Sequence, residues 1–315
     1  MIGTERTSAA GTRPRLPGRI ELARVIVIAE APLLLIIAAN YLTQRSFAFA
    51  ALTTAGAGLL LLGGLRIGHD TDADTQAPVV REGRVPWDWT DFIIFWPGAF
   101  TAATLLISIS VPLVDAFIGG VDPAVRTAAE SFVAQVAYYA GALFNIWVLV
   151  ALRRGGTLQD LGWRRFRWWW IPLAVLGAFA TLQLAAYLQL LAQDILPPNT
   201  VNGQCVQVRH DYSHFVALAV VVVCVIAPLA EETIFRGFVY GWLQRVAPVY
   251  VAILVSAAIF SAVHGELLLY IPLFGVGCAL ALFYQGSRSL WPGALVHSLF
   301  NLPGIIAILT ATSCS

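Results

Sequence analysis

Apolar residues in this chain run in long blocks broken by short polar segments, a pattern with neither the strict alternation of strands nor the single stripe of a soluble helix. Nine blocks stand out, near 24–42, 47–65, 91–117, 130–152, 169–191, 213–246, 249–264, 267–285 and 289–311. A helix needs about 20 apolar residues to cross the hydrocarbon core, so these blocks predict an all-α, polytopic membrane helix bundle of eight or nine transmembrane helices. Residues 1–19, rich in Arg, Ser, Gly and Pro, read as a disordered cytoplasmic tail. Residues 20–152 read as N-terminal transmembrane helices, and 153–315 as a core transmembrane region.

Composition agrees with the pattern. The 315 residues are 58% hydrophobic and 12% charged, with mean hydropathy +0.76, about half the charge of a soluble domain. A net charge of +1 without a basic stripe gives no case for nucleic acid, and the lipid bilayer is the expected partner. All nineteen basic residues are Arg, the codon signature of a GC-rich genome, which fits a bacterial plasma membrane. Arginines gather before the first block and in the connection from 153 to 170, so both are placed in the cytoplasm. Nine crossings then put the carboxyl terminus outside, together with the loop from 193 to 212. Cys205 and Cys314 would share that outer compartment, where a disulfide between them is open. Cys224 and Cys278 lie inside apolar blocks and read as small buried hydrophobes; no cysteine spacing suggests a metal finger or redox motif.

Within these blocks, ionisable side chains are costly and mark a functional site by default. Glu231, Glu232 and Arg236 follow the apolar run 220–230. Glu232 and Arg236 are four apart and pair on one helical face, while Glu231 is turned about 100° away. His264 closes the block 249–264, sharing a face with Phe260. His297 lies about 12 Å into the last block, with Asn301 one turn further on the same face. Residues 24–190 offer few groups equally deep, among them Glu30, Asp115, Glu130 and Asn145.

A carboxylate, two imidazoles and an amide in one water-poor cavity match two ways of hydrolysing a peptide bond. In the preferred one, Glu231 and His264 activate a water, His297 and Asn301 stabilise the oxyanion, and no cofactor is required. In the alternative, Glu231, His264 and His297 hold zinc. The compact H-E-x-x-H signature is absent. A simple ladder of spans leaves Glu231 near the cytoplasmic end and His264 far along its own block, so the site needs a kink at Pro228. Two other classes stay open: a secondary transporter using these groups as a proton relay, and a non-catalytic membrane scaffold.

At these residues the chain resembles the CAAX protease and bacteriocin-processing family of intramembrane proteases, also called the Abi or type II CAAX prenyl endopeptidase family. Its three motifs occur in order: E-E-x-x-x-R at Glu231 to Arg236, F-x-x-x-H at Phe260 to His264, and H-x-x-x-N at His297 to Asn301. The loop Gly155 to Arg165, with Leu158, Leu161 and Gly162, looks like the family's connector. The resemblance covers about 213–303 and implies an intramembrane endopeptidase. In it Glu231 is the base, His264 and His297 are catalytic or metal-binding, and Asn301 is an oxyanion donor. Glu232, Arg236 and Phe260 are supporting residues, and the implied substrate is a membrane peptide or protein.

Overall fold

The computed structural model describes residues 17–73, 85–197, 200–310 and 314. Among these residues the secondary structure is all helical, with no strand. The helices are α1 (Pro17–Thr43), α2 (Phe47–Ala73), α3 (Trp89–Ile118), α4 (Pro123–Arg153), α5 (Trp170–Ile195) and α6 (Gly203–Tyr212). The chain continues through α7 (Val216–Val246), α8 (Val249–Ala262), α9 (Leu267–Ser287) and α10 (Leu290–Thr310). Eight helices are long and apolar enough to span a bilayer: α1 to α5, α7, α9 and α10. The block expected over 249–264 is instead the 14-residue helix α8, too short by itself for a full crossing. The chain is an integral membrane protein.

Of the tail expected over 1–19, residues 17–19 already belong to α1, and the remainder lies outside the described residues. The helices pair in sequence as antiparallel hairpins, α1 with α2 and α3 with α4, while α5 packs on α9 and α10. One apolar core runs through the bundle, with Trp87, Phe95, Phe238, Tyr240 and Phe260 among its fully buried members.

Polar contacts mark two ends. At the first, the Arg245 side chain donates to the carbonyls of Val85 and Trp87, Leu290 N donates to Gly162 O at 2.9 Å, and Ser289 Oγ donates to Arg164 O at 2.7 Å. Here Asp91 and Asp88 hold Arg153 and Arg154 in a largely buried network. Burial works against the charge on Asp88, but Arg154, Arg153 and the Thr90 amide outweigh it and hold the carboxyl below its ordinary value. Asp88 also caps α3, accepting from Thr90 N and Asp91 N, while Asp91 reaches back to Asp88 N.

At the other end, Gly203 N donates to Glu266 Oε2 at 3.2 Å, Asn202 N donates to Cys314 O at 2.8 Å, and Cys205 and Cys314 form a disulfide with Cα atoms 5.6 Å apart. A satellite core of Ala128, Tyr212, Ala219, Cys224 and Ile305 joins α4, α6, α7 and α10 there. Glu266 therefore stands at the end opposite the α7–α8 turn. Short α8 carries the chain back from that turn along α7.

Candidate active site

The three polar segments of the carboxy-terminal third are carried by α7, the end of α8 and α10. The chain runs through Pro228 as one helix from Val216 to Val246. A π-helical turn, Val222–Ile226, precedes the proline, and Ala227 N donates to Val222 O in the wider register. The widened turn takes the ring and its missing N–H without ending the helix. The kink expected at Pro228 is not what brings the site together. Glu231 sits at the middle of α7, about 22 Å from Val246, and His264 lies about 22 Å beyond Val249 on the returning arm, at 1.5 Å per residue. Two equal arms folded at the Ala247–Pro248 turn put the two side chains at one depth.

A second π-helical stretch, Glu232–Tyr240, carries the ion pair. Glu232 and Arg236 are fully buried with Oε1 and Nη1 3.0 Å apart. Arg236 also donates from Nη2 to Gly277 O at 3.1 Å, and its guanidinium lies 4.5 Å from the centre of the Phe260 ring. A charge taken this far from water is held only by being paired and stacked on several sides. Glycines admit these contacts. A Cβ at Gly293 would stand 2.9 Å from Glu232 Oε2, and one at Gly237 would stand 2.7 Å from Leu161 O of the connector.

His297 of α10, 3% exposed, faces both carboxylates: Nδ1 is 3.3 Å from Glu232 Oε1 and Nε2 is 3.7 Å from Glu231 Oε2. Glu231 keeps 12% of its side chain exposed, and its other oxygen accepts from Tyr139 Oη at 2.7 Å. His264 donates from Nδ1 to Phe260 O at 2.7 Å, which leaves Nε2 as an acceptor. The Phe260 ring bridges the two imidazoles, 4.9 Å from His264 and 5.8 Å from His297 between ring centres. Asn301 donates one amide hydrogen to Val223 O at 2.7 Å and retains a second. The structure thus joins Glu231, Glu232, Arg236, Phe260 and His297 in direct contact, attaches His264 through Phe260, and ties Asn301 to the neighbouring π turn of α7.

Tyr139 has no place in the sequence motifs. Its signal was a phenol inside a span, which must find a polar partner, and that partner is 92 positions away on α7. Trp163 of the connector is a second such residue, donating from Nε1 to Thr233 Oγ1 at 3.0 Å. As donors for zinc, Glu231, His264 and His297 have the right chemistry, a carboxylate and two imidazoles. Their placement does not fit: among the described residues no three His, Cys, Asp or Glu side chains are grouped closely enough to hold one ion.

Residues 213–303 match the family model described as type II CAAX prenyl endopeptidase Rce1-like. Over this stretch, less than a third of the chain, the sequence is similar to that family. All three segments of the site lie inside this match. The chain is also 27% identical over 137 residues to a protein of Bacillus subtilis (strain 168) named "Putative membrane peptidase YdiL", an alignment covering 42% of this chain. That alignment spans about half the length of the relative, 55% of it. No solved structure matches the chain.

Proposed function

We propose that this chain is an intramembrane endopeptidase that hydrolyses a peptide bond of a membrane-associated or lipidated peptide or protein. The observation that carries the reading is the gap between Glu231 Oε2 and His297 Nε2. At 3.7 Å it is too wide for a direct hydrogen bond and suited to one water touching both atoms. The match of residues 213–303 to the endopeptidase family model and the similarity to a protein named as a membrane peptidase support the same class of reaction.

In this mechanism Glu231 Oε2 takes a proton from the water as its oxygen attacks the scissile carbonyl carbon, and the carbonyl electrons move onto oxygen. Tyr139 holds the other Glu231 oxygen and so aims the carboxylate. The oxyanion receives hydrogen bonds from His297, with a hydrogen on Nε2, and from the free amide hydrogen of Asn301; His264 Nε2 orients the water. On collapse the C–N bond breaks and Glu231 returns the proton to the leaving amine. Glu232 and Arg236 fix His297 from behind. No step passes through a metal.

The end bearing Arg153, Arg154, Arg164, Arg165, Arg167 and Arg245 faces the cytoplasm on this reading, with the amino terminus, as the excess of cationic residues there favours. The disulfide then lies on the outer face of a bacterial plasma membrane, the compartment in which such bonds persist. Purified protein in detergent is expected to cleave members of a library of membrane-anchored peptides, and to keep full activity in strong chelator. Failure to cleave any member would refute the peptidase reading. Loss of activity in chelator that zinc restores would refute the metal-free mechanism while leaving the peptidase intact.

A further inference from the structure

Glu30 of α1 and Asn145 of α4 form a polar pair in the amino-terminal half, apart from the site above. They are 6% and 0% exposed, and Asn145 Nδ2 donates to Glu30 Oε1 at 3.0 Å. The remaining oxygens, Glu30 Oε2 and Asn145 Oδ1, are both buried without a hydrogen-bond partner. Both overhang Gly98 of α3: a Cβ there would stand 2.3 Å from Asn145 Oδ1 and 2.7 Å from Glu30 Oε2, so the two oxygens are near neighbours over one glycine.

Two acceptors stranded together in a dry interior are each destabilising, the more so if one is charged. The charged side chains on the surrounding elements are committed elsewhere. Arg24 on α1 lies 3.5 Å from Glu21, Arg66 on α2 stacks over Trp89, Asp91 on α3 is held by Arg153 and Arg154, and Asp115 pairs with Arg126 of α4. A single hydrogen between the two oxygens satisfies both atoms and removes the charge.

We propose that Glu30 carries a proton on Oε2 and donates it to Asn145 Oδ1, so that acid and amide close a two-hydrogen-bond pair, a one-proton binding site that fastens α1 to α4. The proton comes from solvent as the helices assemble; only the O–H bond forms and no electrons are transferred. Gly98 supplies the room, since any side chain there would drive the pair apart.

Infrared spectra and unfolding midpoints test this. The wild type at neutral pH should show the carbonyl stretch of a protonated carboxylic acid, which shifts in Asn145→Ala and is lost in Glu30→Gln. Glu30→Gln puts an amide donor where the acid hydrogen stood and should keep the midpoint within about 2 °C. Glu30→Ala and Asn145→Ala should each lower it by about 5 °C. The proposal fails if no band responds to Glu30→Gln, or if Glu30→Gln falls as far as Glu30→Ala. It also fails if the wild-type midpoint rises with added sodium, the behaviour of an ionised cation site.

Discussion

Tyr139 holds one oxygen of Glu231 and leaves the other facing His297, so the direction in which this carboxylate accepts a proton depends on a residue outside all three motifs. A hydrogen bond to a charged group contributes about 1.5–3 kcal/mol. Tyr139→Phe is therefore expected to lower kcat/KM by about 10- to 100-fold with little change in unfolding midpoint; unchanged turnover would show that Glu231 is positioned by something else. Arg236 has the opposite profile. Arg236→Met leaves Glu232 as an uncompensated charge at zero exposure, and breaking a buried pair in this way costs about 3–5 kcal/mol. Detergent-solubilised Arg236→Met should unfold well below wild type in a thermal scan, and a midpoint equal to wild type would mean that Glu232 is not charged there.

At the scale of elements, the polar positions of the site were legible because charged and imidazole side chains stand out in apolar helices, and their spacing showed which shared a face. Their common depth was not legible. It depends on α7 extending an equal distance either side of Glu231 and on α8 returning, a length relation that a ladder of separate spans hides. The two π-helical stretches were also invisible, since nothing in 222–226 or 232–240 distinguishes a π turn from an α turn by residue type. Helix α3 offers a test of the first end of the bundle, because Asp88 both caps it and pairs with Arg154. A carboxyl held below its ordinary value adds stability above its unfolded pKa, near 3.9, and gives it up as pH falls through the folded value. Asp88→Asn keeps a capping oxygen but removes the charge that pairs with Arg154, so it should lower the midpoint at neutral pH and flatten its decline in acid. An acid limb as steep as wild type would assign that decline to other groups.

For the whole molecule, the chain's class followed from block length, while the arginine distribution supplies only the direction proposed for it. The disulfide clasp was only partly legible: an expected shared compartment made a Cys205–Cys314 bond open, but its formation depends on α6 folding back so that Asn202 meets Cys314. Cys205 and Cys314 should label with a membrane-impermeant thiol reagent only after reduction, whereas the unpaired Cys224 and Cys278 should label only after denaturation. Labelling of Cys205 in untreated protein would contradict the clasp. The amino-terminal half carries no motif, and its tie to the site through Tyr139 and α4 emerged only when helices distant in sequence were brought together. The central claim, that Glu231 is the base for a water held among the membrane helices, is tested most directly by comparing wild type with Glu231→Gln on one cleavable membrane-anchored peptide. The account predicts an intact fold and a fall in kcat of about 100- to 10,000-fold; cleavage by Glu231→Gln at the wild-type rate would contradict it.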